Sequence, residues 1–173
     1  MTALPDGFPE PTEVGVIEVK QYPQYRAVTY THTGSLERAT GVAFDPLFQH
    51  ISSNQIEMTT PVEARYLSES PTPNPASGQA EVSFLYPSTK IEPQKVAADV
   101  TVGDRVSMLV ISIGLQGPYS WESYQQNLQK LQDWLADHPE YEVVGSPRRL
   151  FYNSPMTPES LKRSEVQIPV QKT

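Results

Sequence analysis

A chain of 173 residues with 20 acidic and 13 basic side chains, net charge −7, has the length of one domain. It lacks the basic stripe with which nucleic-acid binders displace counterions from phosphates, so no nucleic-acid partner is expected. No apolar run reaches the ~18 residues of a membrane span, and the opening MTALPDGFPEPTE has neither the basic start nor the apolar core of a secretory signal, so a cytoplasmic protein without a membrane span is the default expectation. The absence of Cys excludes disulfides and thiolate chemistry and says nothing of the redox compartment.

Residues 1–13 hold three prolines and little to bury, and read as a flexible, loosely packed tail ahead of a single domain over 14–173. Val14–Val19 and Tyr25–Tyr30 read as strands broken at Tyr22-Pro23, with Val28, Tyr30 and His32 on one face. Ser35–Ser53 reads as helix, with Ala43, Leu47 and Ile51 in one stripe and Phe44 and Phe48 beside it. Within it, Asp45-Pro46 either opens a second helical segment, with Pro at its first position, or kinks a longer one. Ile56–Tyr66 reads as a strand whose even positions are mostly apolar, while Glu57, Glu63 and Arg65 on the odd positions predict a wet face. Ser68–Gln79 is a Pro/Ser/Gly loop, and Glu81–Tyr86 is the next strand.

The second half repeats the pattern. Val106–Leu115 is a strand apolar on both faces, which requires a helix on one side and a core or cavity on the other. Ser120–His138 is the clearest helix: Trp121, Tyr124, Leu128, Leu131 and Leu135 recur at three- and four-residue steps, Ser120 serves as N-cap, and His138-Pro139 as the stop. Strands follow at Tyr141–Val144, Arg149–Tyr152 and Val166–Val170. Strand–helix–strand–strand thus occurs twice at a spacing of roughly 80 residues. The pattern predicts an α+β fold, a twisted antiparallel sheet or barrel built from two βαββ halves with two flanking helices.

Four segments in consistent order now resemble one family. IEMTTPV (Ile56–Val62) is similar to the Met-Thr-x-Pro-Val signature of the SOUL/heme-binding proteins. FYNSP and KRSEVQIPV resemble that family's Tyr-Asn-x-Pro and Arg-Asn-Glu-Val-x-Ile ending. IEVKQYPQYRAV looks like its opening strand, DPLFQHI like the end of its first helix, and FLYPSTKIEP with DVTVGDRVSMLVIS like its middle. The resemblance implies a double βαββ barrel that carries or buffers heme, another tetrapyrrole or a small apolar ligand in a hydrophobic groove. Where some members carry an axial-ligand His, this chain has Gln21, so the resemblance points to members that bind without a defined axial imidazole.

A flat apolar plate with two carboxylates and a metal needs apolar walls, cations and a metal ligand. The candidate binding residues are therefore Met58 and Met108 as walls, with plain core packing as the competing reading. His32 and His50 are the candidate iron ligands, and His138 reads as a helix terminator. Arg38, Arg65, Lys162 and Arg163 could pair with the carboxylates, the alternative being solvated surface charge. Tyr152 and Asn153 read as fixing the return of the chain at Pro155. The architecture is also shared with gyrase-inhibitor-like small-molecule binding or hydrolase domains. In that alternative Glu165, turned into an apolar cavity, would be the working acid, against a structural carboxylate paired with Arg163 or backbone amides. No Gly-x-Ser-x-Gly, no His-x-x-x-His and no phosphate-cradling Gly loop occurs, so no enzyme is expected.

Overall fold

The two periods of the sequence, near 2 for strands and 3.6 for helices, are realised in a computed structural model that describes residues 3–69 and 77–173. In chain order these form β1 (Ile17–Tyr22), β2 (Tyr25–Ser35), α1 (Ala39–Ser53), β3 (Val62–Glu69), β4 (Ser77–Leu85), β5 (Thr101–Arg105), β6 (Met108–Gln116), α2 (Trp121–Ala136), β7 (Tyr141–Val143), β8 (Arg148–Phe151) and β9 (Arg163–Lys172). Short 3-10 turns at Leu36–Arg38 and Glu159–Leu161 precede α1 and β9. Most of the expected loop at Ser68–Gln79 lies outside the described residues.

Among the described residues nine strands make one antiparallel sheet in the order β1-β6-β9-β8-β3-β4-β2-β5, with β7 on the end of β9. The α+β class and the doubled βαββ plan hold. The barrel does not, because β1 and β5 are free edges at opposite ends of an open sheet. The order also shows an exchange: β1 pairs with β6 of the second half, and β5 pairs with β2 of the first. Each half therefore lends its opening strand to the other. The strand expected at Val106–Leu115 is β6, which starts two residues later at Met108, with Val106 exposed at the break between β5 and β6.

Both helices lie on one face of the sheet. Ala39, Ala43, Leu47 and Ile51 of α1, and Tyr124 and Leu131 of α2, bury against Val28, Ala64, Val82, Ile111, Ile113, Val166 and Ile168. Pro46 lies inside α1, which runs through it as one helix. In α2 the Ser120 hydroxyl accepts the Ser123 N–H at 3.1 Å, the cap its sequence predicts.

The other face is buried too, which the alternation of charged residues did not suggest. Residues 3–13, expected as a loosely packed tail, lie against it: Phe8 packs edge-on to Tyr22 and Tyr25 at 5.0 and 5.2 Å, and Thr12 is buried. Residues 12–13 cross β6 so closely that a Cβ on Gly114 would stand 2.3 Å from the Thr12 and Glu13 carbonyl oxygens. Glu63, placed on a wet face by its odd position, is fully covered there. The strand predicted from Ile56 begins at Val62. Pro61, joined to Thr60 by a cis peptide, precedes it rather than interrupting it.

Candidate functional site

The helices leave a groove between them. Alternation on β3, β4 and β8 sends Val62, Tyr66, Phe84, Arg149 and Phe151 to the helix face, and these make its floor. Phe44 and Phe48, one step off the buried stripe of α1, form one wall, stacked at 5.7 Å. Trp121, at the start of α2, and Tyr119 before it form the other. The resulting cavity is about 940 Å³, open to solvent on one side, and mostly apolar and aromatic. That is the upper part of the ~300–1,000 Å³ typical of small-molecule sites.

Of the two cations that line it, Lys162 and Arg149, Arg149 is the more deeply buried. The side chain is only 3% exposed, its guanidinium rests over Phe151 at 4.8 Å and Tyr124 at 5.4 Å, and its Nε and Nη2 have no hydrogen-bond acceptor among the described residues. The Trp121 indole N–H, also buried, lacks an acceptor in the same sense. Glu37 and Glu122 line the groove from its exposed rim.

Of the sequence candidates, Met58 and Lys162 line this groove. Lys162 is already engaged, its ammonium on the Glu159 carboxylate and over the Tyr119 ring. Met108 starts β6 and packs on the opposite face beside Tyr22 and Tyr25, so the two methionines do not face each other. The histidines are elsewhere. His32 Nε2 bonds the Ser35 carbonyl at 2.9 Å. His50 is buried, with its Nε2 2.6 Å from the Tyr86 hydroxyl, and burial holds its imidazole below the ordinary range. His138 stacks on Trp134 at 3.6 Å and, as expected, ends α2. Arg38 is exposed outside the groove, and Arg65 pairs with Glu81. Arg163 offers its backbone N–H to Asn153 Oδ1 at 2.6 Å, the chain-return role read for Asn153. Gln21 donates to the Met108 carbonyl at the β1 edge.

Glu165 does not enter the groove. It points to the opposite face, fully buried, and accepts from the Thr12 N–H, Lys20 Nζ at 2.8 Å, the Tyr152 hydroxyl at 2.6 Å and Gln167 Nε2 at 3.2 Å. Its partner is Lys20, not Arg163. Burial works against the Lys20 charge, but Glu165 and Tyr22 outweigh it and hold the ammonium above its ordinary range. Beside this pair, Arg148 binds Glu63 Oε2 at 2.7 Å, the Tyr25 hydroxyl at 2.8 Å and Gln167 Oε1 at 2.9 Å. Burial opposes the Glu63 charge, yet Arg148 keeps the carboxylate below its usual range. Tyr152 touches both faces. It lines the groove and donates to Glu165, and burial together with that carboxylate pushes its phenol far upward.

Sequence reasoning named the groove's aromatic wall only as residues beside a helical stripe, and it missed Arg149. A signal was present: adjacent arginines on a strand point to opposite faces, so one of Arg148 and Arg149 had to lie beneath the helices.

Solved structures share the fold at low identity, which establishes architecture alone. The C-terminal domain of EcmrR superposes with a TM-score of 0.74 at 14% identity, over 91% of this chain and 98% of that one. An uncharacterised conserved protein from Listeria innocua gives 0.64 at 12%, covering 93% and 94%. A hydrolase encoded by lin2189 from Listeria innocua gives 0.62 at 10%, covering 91% and 93%. Comparison with curated proteins finds no significant match. The family model for the SOUL heme-binding protein matches residues 10–169, nearly the whole chain. This chain belongs to the SOUL heme-binding protein family.

Proposed function

We propose that the groove between α1 and α2 binds heme or a related tetrapyrrole, and that the protein carries or buffers this ligand rather than transforming it. The observation that supports this reading most is the groove itself, about 940 Å³ with aromatic walls on both sides and a strand-built floor. A flat apolar ring gains from such walls both by burial, at roughly 25 cal/mol per Å², and by stacking. The residues present fit the ring well: Phe44, Phe48, Phe84, Trp121 and Phe151 would hold its faces, and the Met58 thioether is the soft donor at the wall. Heme bound there would bring an iron centre capable of exchanging ligands, and none of the three histidines lines the groove to hold it. Binding carried by the ring rather than by iron suits delivery and buffering, where release matters as much as capture.

Titration with hemin, followed by its Soret absorbance, tests the reading: a saturable shift at micromolar protein is expected, and its absence would sink the proposal. Location is tested at Gly41 of α1, which lines the groove and where an added Cβ meets nothing within 4 Å. Gly41→Trp should weaken hemin binding tenfold or more. It should leave stability equal or improved, because glycine inside a helix costs about 1 kcal/mol.

A further inference from the structure

The groove holds an unusual expense for a purely apolar site. An arginine that is only 3% exposed ordinarily turns its guanidinium to a carboxylate or carbonyl, because a buried charge without hydrogen bonds is costly. Arg148, the neighbour of Arg149 on β8, follows that rule, with a carboxylate, a hydroxyl and an amide oxygen accepting from its Nε and Nη1, and only its Nη2 is left without an acceptor among the described residues. Arg149 does not. It has aromatic rings on its flanks, makes no ion pair with any carboxylate among the described residues, and leaves Nε and Nη2 unmatched. The Trp121 indole N–H is likewise unmatched, and Trp121 opens α2, a helix of 16 residues whose N-terminal end carries the positive pole of its dipole. The residues that carry these unsatisfied donors, and a helix N-terminus, therefore occur on the lining of one groove. Lys162 does not take this role, since its ammonium is held by Glu159. The rim acids Glu37 and Glu122 are exposed, where water and salt screen them over about 10 Å, whereas Arg149 has lost that screening.

We propose that the floor of the groove is an acid-recognition site: Arg149, helped by the Trp121 indole and the start of α2, binds the carboxylate of an otherwise apolar aromatic ligand. The proposal rests on the same groove as the tetrapyrrole reading and deepens it by naming the ligand class as aromatic carboxylic acids, with the acid group rather than a metal as the anchor. Arg is suited to the task because its planar fork meets a carboxylate with two parallel N–H donors.

Two ligand pairs test it on the whole chain. Metal-free protoporphyrin is compared with its dimethyl ester, and pyrenebutyrate with its methyl ester, each titrated by fluorescence into wild type, Arg149→Met and Arg149→Lys. In wild type the acid of at least one pair should bind tenfold or more tightly than its ester. Arg149→Met should erase that preference, bringing acid and ester to within about threefold of each other in the same variant, and Arg149→Lys should keep part of it. Arg149→Met should also melt at or above the wild-type temperature, because it removes an unpaired buried charge. Equal binding of acid and ester, no binding by either pair, or a preference that survives Arg149→Met would each overturn the inference. Should that variant fail to fold, the wild-type acid-to-ester ratio and the Arg149→Lys variant still decide. Hemin binding without an acid preference overturns the acid site and leaves the tetrapyrrole reading standing. An Arg149-dependent preference for pyrenebutyrate, with no tetrapyrrole bound, does the reverse.

Discussion

Arg148 and Glu63 stand 2.7 Å apart in full burial, and each is there because the other is. Removing one partner leaves an uncompensated charge, so Arg148→Met should cost about 3–5 kcal/mol in urea unfolding. The pair also sets an acid limit. The Glu63 carboxylate is held below the 4.5 of an ordinary glutamate, so the unfolded chain takes up a proton more readily than the fold does. That contribution is complete above pH 4.5 and is lost as pH falls toward the lower folded value. Wild-type stability should therefore decline below pH 4.5, and Glu63→Gln, less stable overall, should show a shallower decline in that window. At this scale the sequence was legible only in part. Strand alternation separated Glu63 from the apolar positions of its strand and so read its face as wet, but it could not say that a second covering made that face an interior. Arg149 was hidden for a related reason, since its charge reads as solvated until the helices are known to lie over it.

The elements divide by how local their determinants are. Helix α2 was legible nearly to the residue because its cap, stripe and stop all lie within its own span. Strand β3 was not. Ile56–Val62 keeps an apolar rhythm, but its placement depends on distant partners: Thr59 donates to the Leu85 carbonyl at 2.6 Å and the Thr60 N–H to the Ala3 carbonyl at 3.0 Å. The N-terminal segment was unreadable on the same grounds, since its prolines and small residues make sense only against β6 and Tyr22. Gly114 is where that segment docks. Gly114→Ala would drive a methyl group into two backbone carbonyls. The expected result is a loss of about 1–3 kcal/mol, as overpacked sites show, with faster protease cleavage within residues 3–13; unchanged stability and cleavage would show that the segment can move aside without cost.

Across the whole molecule, the doubled strand–helix–strand–strand order was readable because each half repeats its own periodicities, whereas the opening of the sheet and the exchange of first strands were not. Pairing across halves leaves no trace in a local pattern; it emerges from which edges remain free once both halves are folded. The same holds for the groove, which belongs to neither half, since α1 supplies one wall and the start of α2 the other. The exchange itself has a consequence for how the chain can be divided. Residues 86–100 contain neither strand nor helix and look like a natural place to cut. A fragment ending there would keep β1 but lose its partner β6, and the remaining fragment would begin with β5 deprived of β2. Neither piece could satisfy its own backbone, so the fragments should be insoluble or poorly folded alone and recover a joint fold when mixed. The arrangement makes the halves obligate companions, closer to two interlocked subunits than to two tandem modules.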